Sequence, residues 1–234
     1  MNKFSKLAVA VALSMAAAGA MATTVIDNFS VAQSKVVDQN NATGGVWAVQ
    51  AGSATETSIL GGYRDIFVDA LGGATASKEV NIQVSGGELS YNADSGVAGI
   101  GLVRWDGVAT GGAVDVYGLG GINLLSMGSG FMVFADANGA PIDLIMRVWS
   151  GVAGTTYSVT KTAIDAVSEY TFNFSEFVGV DFSDVGAIEL QMNNGVFKGR
   201  DASISLVQAV PEPGTIALLG MALLGLGAVR RRKS

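Results

Sequence analysis

Asp65 and Asp69 in YRDIFVD, and Asp181 and Asp184 in DFSD, are acids close enough in sequence to be weighed as pairs. Two carboxyl groups about 5–10 Å apart across a cleft can protonate a glycosidic oxygen and drive attack on the sugar. No strand-like run carries three acids at E-x-D-x-x-E spacing, and acids of this kind ordinarily occupy turns or a solvent face. A second use for such oxygens is calcium, which takes six to eight hard ligands. Asp27, Asp181, Asp184 and Asp201 form a weak calcium set; their spacing matches no EF-hand loop, so the expectation is no resident cofactor. Asp136-Ala137-Asn138-Gly139 reads as a hairpin turn. Sugar binding would instead use flat aromatic rings, for which Trp47, Tyr63, Tyr91, Trp105, Tyr117 and Trp149 are the candidates. The simpler role for most of them is core packing.

Other chemistry is closed. The chain has no His and no Cys. That removes the Ser-His-Asp and Cys-His nucleophile systems, HExxH metal sites, thiolate metal sites and any disulfide framework. The Gly-Leu-Gly-Gly run at 118–121 lacks the lysine and the strand-to-helix setting of a phosphate loop. Of the 14 basic residues, two lie in the first 22 residues and four in the last five, which leaves eight between. Nineteen of the 20 acids lie in that middle portion, so its charge is near −11 against −6 for the whole chain. Such a body does not suit nucleic acid, which is gripped by clustered Lys and Arg.

The residues that could act must be held by strands. In IDLIMRVW, Ile142, Leu144, Met146 and Val148 share one face. In YTFNF, Tyr170, Phe172 and Phe174 oppose Thr171 and Asn173. In AIELQMN, Ile188, Leu190 and Met192 oppose Glu189 and Gln191. In DASISLVQ, Ala202, Ile204 and Leu206 oppose Asp201, Ser203 and Ser205. A two-residue period marks strands buried on one side. TVIDNF, GVWAVQ, YRDIFVD, KEVNIQV, GELSYN, GIGLVRW, GFMVFAD and TTYSVTK add further strands, separated by turn signals such as NADSG and DANGAP. FSEF reads as a single helical turn. Ten to twelve short strands without a sharp linker predict an all-β, antiparallel, jelly-roll-like sandwich in one domain, residues 23–208.

Each end of the chain is hydrophobic. At the start, Lys3 and Lys6 precede an apolar run, and Ala20-Met21-Ala22 supplies small residues where signal peptidase reads. This predicts a signal peptide over 1–22, cut after Ala22 to leave Thr23 first. At the other end, residues 209–234 hold Pro211-Glu212-Pro213, then 16 uncharged residues from Gly214 to Val229, then Arg230, Arg231, Arg232 and Lys233. As a helix that run is about 24 Å long, short for a hydrocarbon core of about 30 Å yet able to anchor in a thinned bilayer. Each basic residue costs about 2.5–3.5 kcal/mol at the bilayer centre, so the cluster stops transfer. The sequence thus predicts a C-terminal transmembrane helix.

The order Pro-Glu-Pro, short apolar helix, Arg-rich end resembles the PEP-CTERM sorting signal of Gram-negative bacteria. The resemblance covers Val210 to Ser234, about a tenth of the chain. It implies recognition by an exosortase, a polytopic membrane cysteine protease, with Pro211, Glu212 and Pro213 as the motif and Arg230–Lys233 as the stop-transfer cluster. The inner membrane would be a transient anchor, and the body would pass to the cell surface or the exopolysaccharide matrix of a biofilm. VIDNFSVAQ, GGYRD, GELSYN, FSEFVGVDFSDVGAIELQMN and DASISLVQ also resemble the ectodomains of other PEP-CTERM proteins, which implies a galactose-binding-type jelly roll. The resulting expectation is a non-catalytic structural or adhesive protein. Its alternatives are a carbohydrate-binding module and a carboxylate-based glycan hydrolase or lyase.

Overall fold

The computed structural model describes residues 24–210, except 40–43, 110, 139, 152–154, 194 and 196–197. The leader, Thr23 and the segment from Pro211 onward lie outside the described residues, and with them the two expected hydrophobic segments and the Pro-Glu-Pro motif. Among the described residues no helix is long and apolar enough to cross a membrane.

Alternating runs cut by turns form two antiparallel sheets packed face to face, as the patterning predicts for an all-β sandwich. In chain order the strands are β1 (Thr24–Asp27), β2 (Gln33–Asp38), β3 (Val46–Gly52), β4 (Tyr63–Gly72), β5 (Val80–Ser85), β6 (Glu88–Ala93) and β7 (Ala98–Trp105). They continue with β8 (Gly130–Asp136), β9 (Ile142–Ser150), β10 (Thr155–Ile164), β11 (Ser168–Asn173), β12 (Val185–Met192) and β13 (Asp201–Val210). One sheet has the order β11-β8-β13-β6-β5-β2, with β1 added on β13; the other runs β10-β9-β12-β7-β4-β3. The 3₁₀ turn Phe174–Glu176 confirms FSEF as one helical turn, closed by a capping box between Asn173 and Glu176.

β13 is central. Asp201–Ile204 pair with β6, Val207–Ala209 pair with β1, and the opposite edge pairs with β8 along most of its length. Thr24 faces Ala209, so the chain enters and leaves the sandwich at the same end. A register shift between Ile204 and Leu206 changes the inward face of β13. Leu206, expected inside by strict alternation, is only half-buried, and Val207 and Ala209 take the core positions beyond the shift. One strand was not anticipated: β2 has two adjacent exposed residues and a bulge between Gln33 and Val36, so its period is broken.

The core between the sheets holds Ile142, Leu144, Met146, Val148, Ile188, Leu190 and Met192, all fully buried. At one end Phe131, Phe174, Phe177 and Phe182 form an aromatic cluster, with Phe174 and Phe182 stacked at 3.9 Å and Phe131 edge-on to Phe174 at 5.1 Å. A buried guanidinium lies deeper. Arg64 is 0% exposed; its Nη1 donates to both carboxylate oxygens of Asp27 at 3.0 and 2.9 Å, and its Nε donates to Gln33 Oε1 at 3.0 Å. Asp27 also accepts from the Phe29 N–H at 2.7 Å and the Trp105 Nε1–H at 2.8 Å. Burial pushes the Asp27 carboxyl upward, and Arg64, Trp105 and Phe29 pull it back.

Removing one member of such a pair leaves the other charge buried without a partner. Asp27→Ala is expected to cost about 3–5 kcal/mol, read from urea unfolding. The double variant Asp27→Leu with Arg64→Met should recover much of that loss, because no charge then stays buried. A single variant within about 1 kcal/mol of the parent would show that the pair does not hold β1.

Candidate functional site

The aromatic candidates separate by burial. Trp105 and Tyr91 are fully buried and cannot serve as sugar platforms. Trp105 stands under Asp27, and the Tyr91 ring packs where Gly101 leaves room for it. Burial raises the Tyr91 hydroxyl pKa to about 12. Trp47, Tyr63 and Trp149 are half-buried, and Tyr117 is 56% exposed.

The outer face of the six-stranded sheet gathers the charged residues. Strand register sets Asp65, Arg104, Glu189, Arg147 and Ser158 side by side across five strands. The next row reads Trp47, Phe67, Leu102, Gln191, Ile145 and Thr160. Glu189 is the hub. Its Oε2 accepts from Arg104 Nε at 3.0 Å and Nη2 at 2.9 Å; its Oε1 accepts from Arg147 Nη1 at 2.7 Å. Glu189 and Gln191 were expected on the solvent side of AIELQMN. They do face outward, but both are buried, Glu189 between the two arginines that it binds. The Trp47 ring lies 4.4 Å from the Arg104 guanidinium and packs on Phe67 at 4.7 Å. From the other side Arg104 Nη1 donates to the Gly112 carbonyl at 2.8 Å, within the glycine-rich loop between β7 and β8.

That loop also seats itself on the end of β12. The Leu119 N–H donates to the Gly186 carbonyl at 3.0 Å, Ile122 bridges Val185, and a β-carbon on Gly186 would meet the Val116 carbonyl oxygen at 1.7 Å. Only glycine lets the two backbones approach so closely. Beside the seat opens a cavity of about 230 Å³ lined by Tyr117, Gly121, Gly151, Asp184 and Gly186 among others. Four residues back along β9, a second cavity of about 380 Å³ is lined by Arg147, Thr156, Tyr157 and Ser158. Trp149 stands in register between them, opposite Ala187 and Thr156. Tyr117 and Asp184, a sugar candidate and a calcium candidate far apart in sequence, thus meet in one cavity.

The paired acids do not form the expected pairs. Asp65 and Asp69 lie four residues apart on β4, about 13 Å by strand rise, beyond a glycosidase pair. Asp69 is instead raised by its own burial and by the charge of Asp38. Asp181 is exposed and bonded to the Ser183 N–H and hydroxyl. A different pair shares a cavity: Asp136 and Asp201, with Ser90, Asn92, Asn138 and Ser203, line a space of about 230 Å³ on the seven-stranded sheet. Asp136 is opposite Ser203, two residues from Asp201, and also accepts from the Asn138 N–H at 2.7 Å as the hairpin turn requires. The calcium set is dispersed. Asp27 is opposite Val207 on β13, six residues or about 20 Å from Asp201, and both its oxygens serve Arg64. Among the described residues no three acids gather into a metal-sized cluster.

Glu189→Ala removes the one carboxylate shared by two arginines and is expected to cost about 3 kcal/mol. Glu79→Ala, which breaks the surface pair with Lys35, should cost less than about 1 kcal/mol. Equal losses in urea unfolding would refute the hub role of Glu189.

Comparison with known proteins covers the body and the tail separately. In fold the body is similar to a family 29 carbohydrate-binding module complexed with mannohexaose, at 15% identity and a TM-score of 0.37, over 72% of this chain and 94% of that one. It is also similar to the family 11 carbohydrate-binding module of a cellulosomal cellulase of Clostridium thermocellum, at 11% identity and a TM-score of 0.39, over 82% and 96%. Among curated proteins none matches the chain in sequence. The tail does have a match: residues 209–233 are a PEP-CTERM protein-sorting motif.

Proposed function

We propose that this chain is an exported protein processed by an exosortase and delivered to the cell surface or extracellular polysaccharide, where its sandwich has a non-catalytic structural or adhesive role. The match of residues 209–233 to the sorting motif carries the reading. The body adds two supports. Its charge near −11 suits an extracellular solute, and the absence of cysteine leaves no thiol to mispair outside the cell. Pro211, Glu212 and Pro213 are the recognition motif in this reading. Two prolines there remove two amide donors and fix two φ angles, so the motif does not suit a helix interior. Thr215–Val229 hold the chain in the inner membrane in this reading, and Arg230–Lys233 stop it there. Signal peptidase acts earlier, after Ala22.

The intact mass of the protein from its native cells tests this. The product in the matrix fraction should lack residues 1–22 and everything beyond the Pro-Glu-Pro region. A full C-terminus found only in membranes would overturn delivery and leave an anchored ectodomain.

A second reading, carbohydrate binding, draws on the exposed Tyr117 beside Asp184 and the Trp149–Arg147–Tyr157 stretch next to it. Aromatic rings stack on sugar faces, and carboxylate and guanidinium groups reach hydroxyls. Binding of the body to the cell's own polysaccharide should fall at least tenfold in Tyr117→Ala with Tyr157→Ala. Unchanged binding would remove this face from consideration, and no binding by the parent would remove the reading. The catalytic alternative, through Asp136 and Asp201, would show as release of reducing sugar from that polysaccharide.

A further inference from the structure

The end of the sandwich where the chain enters and leaves carries its own apolar surface. Val210 is opposite Gly130, its carbonyl accepts from the Ser129 N–H at 2.8 Å, and the Phe174 N–H donates to the Ser129 carbonyl at 2.9 Å. A β-carbon on Gly128 would lie 2.0 Å from the Val210 oxygen, so the backbone before β8 is pressed onto the last residue of β13. Two short turns flank this point. The 3₁₀ turn Leu124–Ser126 precedes it in the chain, and Leu125 there is 55% exposed. The turn Phe174–Glu176 follows β11, and Val178 just beyond is 70% exposed. The buried neighbours of these residues, Leu124, Phe174, Phe177 and Phe182, are tied together by the Leu124 N–H to Phe182 carbonyl bond at 2.8 Å and by ring contacts. Leu125 and Val178 therefore stand outward from a rigid base.

Chain length fixes what this surface meets. Three residues, Pro211 to Pro213, separate Val210 from Gly214, where the uncharged run begins. Four extended steps span at most about 14 Å, so the uncharged run begins within that reach of Val210. The N-terminal segment attaches at the same end, since Thr24 is opposite Ala209.

We infer that Leu125 and Val178 form a membrane-docking edge, which rests on the lipid surface while the tail is anchored, whereas Val167 does not touch it. The inference depends on the anchoring step proposed above. Val167 is itself 60% exposed but adjoins Ser168, the far end of β11, which pairs with Ala135, whereas Asn173 pairs with Gly130. The two ends of β11 are about 17 Å apart by strand rise.

The absence of cysteine allows a direct test. Leu125→Cys, Val178→Cys and Val167→Cys are each labelled with bimane in the chain exported in, and purified from, a host that lacks exosortase. The protein is reconstituted into vesicles of phosphatidylethanolamine and phosphatidylglycerol that contain a spin-labelled phospholipid. Quenching at 125 and 178 should exceed that at 167 at least threefold. Equal quenching at the three positions, or more at 167, in protein that floats with the vesicles would overturn the docking edge alone. Protein that does not float would overturn the anchoring step, and the docking edge with it.

Discussion

A fully buried guanidinium is the constraint on which this sandwich is built. Arg64 projects from β4 of the six-stranded sheet into the core, where an unpaired charge would be prohibitive. Its counter-charge, Asp27, comes from the end of β1 in the other sheet, and Trp105 on β7 completes the set. One polar cluster therefore fastens the first strand of the body to two positions far along the chain. Gln33, at the start of β2, joins through Arg64 Nε and donates to the Ala48 carbonyl. The ladder to β13 sets the register of β1, and this cluster holds the end of β1 against the six-stranded sheet.

The outer face of the six-stranded sheet repeats the device in a milder form. Arg104, Glu189 and Arg147 lie abreast on three adjacent strands, and a loop carbonyl and a tryptophan ring hold the first. Such a network favours one loop position, because any shift of the loop would leave the Arg104 Nη1 or the Gly112 carbonyl without its bond. The cavity at Tyr117 opens at the margin of this loop.

Much of the fold was legible in the sequence. The alternation in IDLIMRVW and AIELQMN fixes the inward faces of β9 and β12, and the structure agrees residue for residue. The period fails at irregularities of backbone: the bulge in β13 turns Leu206 outward, and the bulge in β2 hides that strand. The sorting tail was also legible, because its signal is an order of local features. The candidate site was less so. Burial of Glu189 goes with its bonds to Arg104, 85 residues earlier, and Arg147, 42 residues earlier, and no local pattern reports such partners. Tyr91 and Trp105 have the composition of sugar platforms but belong to the core. Asp136 and Asp201 share a cavity only through pairing of β8 with β13. Asp27 has the chemistry of a cation ligand, and only the fold reveals that its partner is a guanidinium.

The central place of β13 has a consequence for timing. The strand that completes the seven-stranded sheet is the last one made, and it bonds to β1, the first, across almost the whole body. Contacts of such long sequence separation form slowly and late. Until residue 210 is free, β1, β6 and β8 lack their common neighbour, and the sheet stays open. In an exported chain that crosses a membrane from its N-terminus, this sheet would therefore close only once nearly the whole body has crossed.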